Sequence, residues 1–237
     1  MYAREITEPS PEGRASTLTV SLMASGNLWR DALVMYDRQT RSLWTQHDGR
    51  AIQGRSRAAG RRLAALPSEK MRYSAARARY PDARVLEKKP GLLGRGTESI
   101  YDDYLSRPDQ LGLFGTQVPT DRVGGKELVL GVSVDGREVA YSLRALVESG
   151  GARLRLGDAT HFAVPLDGGL DARLFRTNRS LHLEGEWVLA DGEGGRWDAG
   201  SGLSLEGAPP LERVPARVSA WFAWFTEHPD SEVWTGP

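Results

Sequence analysis

The chain has 237 residues, of which 40% are hydrophobic and 26% are charged, enough apolar material for the core of a globular protein. Its 31 Lys and Arg residues balance 31 Asp and Glu residues, so the net charge gives no reason to expect a nucleic-acid or membrane partner. The absence of cysteine excludes disulfides, thiolate nucleophiles, iron–sulfur clusters and cysteine-ligated zinc. No apolar run reaches the ~20 residues that span a bilayer, and the start lacks an apolar signal-peptide core, so we expect a cytoplasmic protein.

The N-terminal third predicts strands followed by a short helix. The segments STLTVSLM and LVMY are rich in β-branched and aromatic residues and alternate in part, which is typical of strands. A Gly-rich turn region follows, and a helix is expected after Pro67, where φ is already fixed. This helix is predicted to end before Pro81 and to be less buried than its C-terminal counterpart.

A long arm and a second set of strands follow. Residues 87–127 are rich in Gly, Pro and Asp without sustained periodicity, which predicts a crossing arm with Tyr101 and Tyr104 as its anchors. LVLGVSV and REVAYSL then predict a hairpin with a type I′ turn at Asp135 and Gly136. SLRALVES predicts a short helix that ends at a Gly-Gly pair, and HFAVPL with DARLFRT predicts another hairpin.

The C-terminal segment predicts a helix that begins after Pro215 and ends before Pro229. Four apolar residues of this segment share one helical face through the i, i+3, i+4, i+7 spacing: Val218, Trp221, Phe222 and Phe225. Packing against a core is the interpretation that this stripe favours, and a ligand pocket is the alternative.

An internal repeat relates the two halves of the chain. LVMYDRQTRSLWTQHDGRAIQG (33–54) aligns with WVLADGEGGRWDAGSGLSLEG (187–207). In both copies ten positions separate the Trp from the Gly, and 14 positions separate two later prolines. The alignment superposes three residues of the first copy on three of the second: Asp37 on Asp191, Trp44 on Trp197 and Gly54 on Gly207.

We therefore predict a single α+β domain of residues 1–237, mainly antiparallel β with short helices. It contains a repeat unit A at about 1–86, a connecting arm at 87–127 and a repeat unit B at about 128–237.

Five blocks carry a resemblance to a known family, in this order: LVMYDRQTRSLWTQHDGRAIQG, RRLAALP, ARYPDARVL, VLGVSVDGREVAYSL and AWFAWFTEHPDSEVW. Together they resemble the bacterial family of domain of unknown function 3179 over most of the chain. The family pattern implies an upstream part with a His-containing segment and a Cys-Pro-Leu-Cys element. Against that pattern unit A is expected to be truncated, and any metal or redox site formed by those elements to be missing. The resemblance implies an architecture and lends no activity.

The repeat also separates architectural residues from candidate functional ones. An Asp and a Trp kept in both copies predict a carboxylate that closes a turn and an indole that fills a core. Only the first copy has the residues that we predict to bind a ligand: Arg38, Thr40, Ser42, Gln46 and His47. Asp37 and His47 are the candidate catalytic acid–base groups, and a triad of Asp37, Ser42 and His47 lacks the surroundings of a nucleophile elbow.

Three functions are left open. The first is a small-molecule or anion-binding module with its site between the repeat units, near a basic run from Arg50 to Arg79 that has nine cations and one acid. The second is an enzyme that acts through Asp37 and His47. The third is a degenerate family member that acts as an oligomeric structural protein, so the predicted partners are a small anionic ligand and further copies of the chain.

No cofactor and no metal ligand are predicted from the residues. His182 and Glu184 would share one strand face, but the leucines beside them occupy the opposite face, so the two polar side chains are expected to point to water.

Overall fold

The structure is a computed structural model that describes residues 1–9, 15–66, 68–86, 102–112 and 115–237. Its contacts divide the predicted single domain into two compact units, Met1–Ser68 and Glu69–Pro237. The division falls at Ser68 and not at the repeat boundary near 86. The repeat itself and the truncation of its first copy stay predictions, and Pro67 and Tyr101 lie outside the described residues.

Residues 69–80 join the second unit because its carboxylates hold them. The backbone N–H of Lys70 donates to Asp171 at 2.7 Å, and the Arg72 guanidinium donates to Asp167 at 3.0 Å. Arg79 Nη2 donates to both carboxylate oxygens of Asp198, at 2.6 and 2.7 Å. These contacts explain why a segment that the repeat assigns to unit A belongs structurally to the second unit.

The first unit consists of short antiparallel strands and one helical turn in its described part. Its elements are β1 (Glu5–Pro9), β2 (Ala15–Thr19), β3 (Leu22–Trp29), β4 (Ala32–Asp37), β5 (Leu43–Thr45), β6 (Ala51–Gln53) and α1 (Arg55–Ala58). β1 pairs with β2, and β3, β4, β5 and β6 form a meander in that order. The core of the unit gathers around Trp44, with Ile6, Val20 and Leu63 buried against it.

The second unit carries three mainly antiparallel sheets and short helices in its described part. Its elements are α2 (Tyr73–Arg79), α3 (Asp102–Leu105), β7 (Leu128–Val134), β8 (Arg137–Ser142), α4 (Leu143–Ser149), β9 (Ala152–Leu156), β10 (Ala159–Leu166), a 3₁₀ turn (Asp167–Gly169), β11 (Asp171–Arg176), β12 (Leu181–Glu184), β13 (Val188–Asp191), β14 (Arg196–Asp198), β15 (Glu212–Val214), β16 (Ala216–Ala220), α5 (Trp221–Glu227) and β17 (Glu232–Trp234).

These strands form three sheets that we call I, II and III. Sheet I has the order β16-β7-β8-β17, sheet II the order β15-β11-β10-β9 and sheet III the order β12-β13-β14. All pairs are antiparallel except the parallel pair of β17 with β8. The predicted α+β class, mainly antiparallel β with short helices, is confirmed.

Apolar clusters fill the spaces between these layers. One cluster, with Leu130 and Leu174, joins sheets I and II, and a second, with Phe175 and Trp197, joins sheets II and III. A third cluster packs α5 on the other face of sheet I through Trp221. Sheet II is therefore covered on both faces, which explains why its central strands β10 and β11 are buried along most of their length.

Both predicted hairpins of the second unit and the helix predicted from SLRALVES are confirmed. The turn between β7 and β8 has positive φ at Asp135 (49°) and Gly136 (77°), as a type I′ turn requires. Ser142 caps α4 by accepting the backbone N–H of Ala145 at 3.1 Å, and Gly150 ends the helix in the left-handed conformation.

The helix predicted directly after Pro215 is wrong in its first turn. Residues Ala216–Ala220 form β16 because β7 offers them a ladder, with Val218 opposite Leu130. The helix begins at Trp221, so Val218 belongs to a strand and the buried helical residues are Trp221 and Trp224. Pairing with β7 therefore decides the conformation of these residues, although their apolar spacing predicted a helix.

The helices α2 and α5 have matching ends. Their N-caps, Arg72 and Ala220, have φ/ψ of −62°/148° and −65°/147°, and their C-caps, Tyr80 and His228, have −131°/70° and −132°/69°. A proline follows each C-cap, as predicted. No residue of α2 is buried, which agrees with its predicted exposure.

The described part of the predicted arm has little regular structure beyond α3. Tyr104 anchors it, because its ring lies 3.7 Å from Lys126 Nζ and its hydroxyl accepts the backbone N–H of Gly112 at 3.2 Å. None of the helices in the described ranges is both long and apolar enough to cross a membrane.

Candidate functional site

The turn between β4 and β5 is built around Asp37, which is fully buried. One carboxylate oxygen accepts the backbone N–H of Thr40, and the other accepts the Thr40 hydroxyl and, at 2.8 Å, the Trp44 indole N–H. Burial by itself would raise the pKa of Asp37, but these hydrogen bonds favour the charged form and hold the pKa below its usual range. Asp37 closes this turn, and both of its oxygens are engaged inside the protein.

The hydroxyls beside Asp37 serve the same turn. Thr40 Oγ1 lies 2.7 Å from Ser42 Oγ and 3.1 Å from Ser56 Oγ, and Ser42 Oγ accepts the Ser56 backbone N–H at 3.0 Å. All three residues are buried. Thr40 and Ser42, predicted to bind a ligand, are thus hydrogen-bonded within the core, and the geometry gives no support to Ser42 as a nucleophile.

The other predicted ligand-binding residues lie at opposite ends of the β4–β5 ladder. Arg38 follows the last residue of β4 and is exposed. Gln46 and His47 follow β5 at the other end, where the backbone N–H of Gln46 donates to the Leu33 carbonyl at 3.2 Å. Leu33 and Arg38 are separated by roughly 16 Å at ~3.3 Å per strand residue. The first unit therefore does not bring the predicted ligand-binding residues together.

The residues shared by both copies have matching conformations. Trp44 and Trp197 are both fully buried. Gly54 and Gly207 have φ of 83° and 86°, a region that favours glycine. A side chain at Gly54 would also contact Ser42. The shared residues are architectural in each unit.

The basic run from Arg50 to Arg79 is largely neutralised within its own units. Most of its guanidinium groups lie within 4 Å of a carboxylate: Arg50 and Arg62 of Asp48, Arg55 and Arg61 of Glu8, Arg72 of Asp167, and Arg79 of Asp198. These ion pairs weigh against a broad anion-binding face, which stays a prediction.

A different candidate position is the open end between sheets I and II. A cavity of about 490 Å³ lies there, within the range of sites for small molecules. Its apolar wall comes from the ends of β7, β10 and β15, and its polar wall from the neighbouring turns and strands. The lining residues are Val134, Asp135, Asp158, Ala159, His161, Arg176, Glu212 and Val214.

Three of the polar residues form one row across sheet II. His161 on β10 is opposite Arg176 on β11, and Arg176 is opposite Glu212 on β15. Directly opposed residues have their side chains on one face of a sheet, so the row points toward sheet I. Arg176 also lies 3.5 Å from Asp158 and 3.9 Å from Glu212, which places one cation between two acids.

His161 is the buried member of this row. Only 2% of its surface is exposed, and its Nδ1 has no hydrogen-bond partner among the described residues. A buried polar atom without a partner carries a free-energy cost, and such atoms are uncommon in folded proteins. His161 thus lines the cavity with its side chain, while its Nδ1 is enclosed by protein and has no partner among the described residues.

A close approach of two turns brings the Asp135 carboxylate beside Gly157. Gly157, in the turn between β9 and β10, has φ of 59°, and a Cβ at this position would overlap the Asp135 carboxylate. Only glycine combines this conformation with this contact. The Asp135 carboxylate is therefore seated against the Gly157 backbone, next to the cavity.

The family model described as "Protein of unknown function (DUF3179)" matches residues 2–231. The chain belongs to the DUF3179 family. No curated protein and no solved structure matches it, so the DUF3179 assignment comes without an activity.

The other histidines of this DUF3179 protein have structural surroundings. His182 lies 3.6 Å from Glu184, and both side chains are exposed on sheet III, as expected from their strand positions. His228 caps α5, stacks on Trp224 and lies 3.3 Å from Glu138. Across the described ranges, no group of three or more His, Asp or Glu side chains is placed to hold a metal ion.

Sequence reasoning missed the cavity of this DUF3179 protein. HFAVPL was predicted only as one strand of a hairpin, and His161 was given no role in a site. The signal that could have found the site is the alternation of HFAVPL, which puts His161 on the same face as Ala163, a core residue between sheets I and II. The residues that complete the site come from separate strands, and their pairing is not readable from local sequence.

Proposed function

We propose that this DUF3179 protein is a small-molecule-binding module and that its site is the cavity between sheets I and II. One observation carries the proposal: a cavity of about 490 Å³ combines an aliphatic wall with the row of His161, Arg176 and Glu212 on sheet II. Small-molecule sites combine apolar walls with a few convergent polar groups in this way.

The proposal differs in position from the site predicted by sequence. Arg38, Thr40, Ser42, Gln46 and His47 all belong to the first unit, whereas the cavity lies wholly in the second. The enzyme alternative through Asp37 and His47 loses support, because both Asp37 oxygens accept hydrogen bonds from buried groups.

Native mass spectrometry of the purified protein, with a thermal-shift screen of cationic, neutral and anionic metabolites, tests the proposal. We expect a bound small molecule, or a raised melting temperature with at least one screen member, because a ligand that binds only the folded state stabilises it. Ala159→Leu, which fills the cavity, should abolish the effect. His182→Ala is the matched control, since it removes an exposed histidine from the same unit.

Binding that survives Ala159→Leu, or the absence of any bound or stabilising compound, would overturn the proposal. The same mass spectra report the number of chains per particle. A stable monomer would count against the alternative of an oligomeric structural protein.

A further inference from the structure

We infer that residues 69–80 form a detachable strap, which is latched to the second unit by charge and opens while the rest of that unit stays folded. The strap contacts the turn after β10 and the end of β14. The cavity lies near the start of β10, at the other end of that strand. The inference therefore goes beyond the proposed function and does not depend on it.

Charged contacts hold the strap at both of its ends. Near the start, Arg72 donates its backbone N–H and its guanidinium to the two carboxylate oxygens of Asp167, at 2.5 and 3.0 Å. Near the end, Arg79 pairs with Asp198 at 2.6 Å, and its guanidinium lies 4.5 Å from the centre of the Trp187 ring. Two separate arginines are thus each seated on a carboxylate of the second unit.

The surface of the second unit leaves room for both arginines. A Cβ at Gly168 would lie 2.8 Å from Arg72 Nη2, and a Cβ at Gly200 would lie 2.8 Å from Arg79 Nη2. A glycine therefore lies beside each of the two ion pairs, where a larger residue would push against the guanidinium. The strap and the surface below it are matched in shape as well as in charge.

The strap has no apolar anchor. None of residues 69–80 is buried, and α2 within them has no buried residue. The helix α5 offers a comparison, since its caps match those of α2 but its Trp221 and Trp224 are buried against sheet I. Ion pairs weaken when salt screens them, whereas apolar burial does not depend on screening. The two helices should therefore respond differently to salt.

Opening of the strap has a measurable consequence in its backbone. The helix α2 has seven residues, and a helix of this length does not persist in water on its own. The backbone N–H groups of Ala76 and Tyr80 donate to carbonyls one turn earlier, at 2.9 and 2.8 Å. A detached strap loses these hydrogen bonds, so its amides exchange with solvent whenever it opens.

Hydrogen exchange of the full-length chain, read by mass spectrometry at about 0.1 M and about 1 M NaCl, tests the inference. We expect peptides of the strap to exchange about threefold faster or more at the higher salt, because the ions screen its ion pairs. Peptides of α5 should keep their exchange rate in the same spectra.

Substitution of the two arginines should release the strap without added salt. In the double variant Arg72→Gln with Arg79→Gln, strap peptides should exchange about tenfold faster or more at 0.1 M NaCl, the effect of lost hydrogen bonds to charged groups. Arg77→Gln is the matched control, because the Arg77 guanidinium donates to the nearby Pro81 carbonyl. Gln and Arg have similar helix propensities, so this control should exchange like the native chain.

Three results would overturn the inference. The first is strap exchange that neither salt nor the double variant accelerates. The second is acceleration of the strap and of α5 by the same factor, which would mean that the unit opens as a whole. The third is an effect of Arg77→Gln as large as that of the double variant, since the loss would then come from the helix and not from its ion pairs.

Discussion

The turns at Asp37 and Asp191 each contain a buried carboxylate, but different residues supply its hydrogen-bond donors. Each follows a strand, β4 or β13, and precedes a strand that carries a fully buried Trp. Asp37 is neutralised by hydroxyl, indole and backbone donors, whereas Asp191 accepts the backbone N–H groups of Glu193 and Gly195 and pairs with Arg179 at 2.7 Å. A buried carboxylate needs several donors, and the two copies recruit them from different places.

The difference gives a structural reason for residues that occur only in the first copy. Thr40 and Ser42 occur only in the first copy and therefore resembled a functional addition. In the structure, Thr40 supplies donors that the second copy obtains from its Gly-rich backbone and Arg179, and Ser42 supports Thr40. A residue unique to one copy can be a structural substitute.

The largest expected effect distinguishes the two carboxylates. Asp37→Ala leaves the donors of Thr40 and Trp44 buried without an acceptor, at a cost of about 2–5 kcal/mol in the free energy of unfolding. Asp191→Ala should cost less, because Arg179 is 40% exposed and can turn to water. Hydrogen exchange read by mass spectrometry on peptides of each unit measures both. Equal losses would contradict the comparison.

A smaller effect is expected for the two indoles. The Trp44 N–H donates to a buried carboxylate, whereas the Trp197 N–H donates to the Pro209 carbonyl at 2.9 Å. Hydrogen bonds to charged groups contribute more, so Trp44→Phe should cost about 1 kcal/mol more than Trp197→Phe. Each substitution removes similar ring volume, so each serves as the other's control. Urea unfolding measures the free energy of unfolding of each variant. A larger loss for Trp197→Phe than for Trp44→Phe would contradict this prediction.

The smallest expected effect is a change in pH dependence. The folded pKa of Asp37 lies below its unfolded value of about 3.9, so its stabilisation is present above that pH and is lost as pH falls through the lower, folded pKa. Asp37→Asn removes this titration. Its loss of stability between neutral pH and about pH 3 should be smaller than that of the native chain. An unchanged loss would show that Asp37 titrates normally.

Much of the fold could be predicted from local pattern. The Asp135-Gly136 turn, the cap at Ser142, the stop at Gly150 and the helix ends before each proline depend on a few neighbouring residues, and all are found. The start of α5 was wrong because Ala216–Ala220 pair with β7, a contact more than 80 residues away in sequence. A strand pair between segments so far apart cannot be predicted from the periodicity of one segment.

The site was less predictable than the fold. Asp37 was correctly interpreted as a turn residue, but neither the split of Arg38 from His47 nor the row of His161, Arg176 and Glu212 follows from sequence spacing. That row depends on the strand order in sheet II. In this sheet β15 pairs with β11, although the three strands of sheet III lie between them in the sequence. Arg176 and Glu212, which are 36 positions apart, become neighbours only through this topology.

The ion pairs of residues 69–80 have a consequence for any dissection of the protein. A fragment that starts at Glu69 keeps Arg72 on Asp167 and Arg79 on Asp198. A fragment that starts after residue 86, as the repeat alone would suggest, strips these acids of their cations, and the Asp167 side chain is only 1% exposed. Its buried charge would then favour protonation or local opening. Expression of the second unit should begin at Glu69, because the carboxylates of that unit hold residues 69–80.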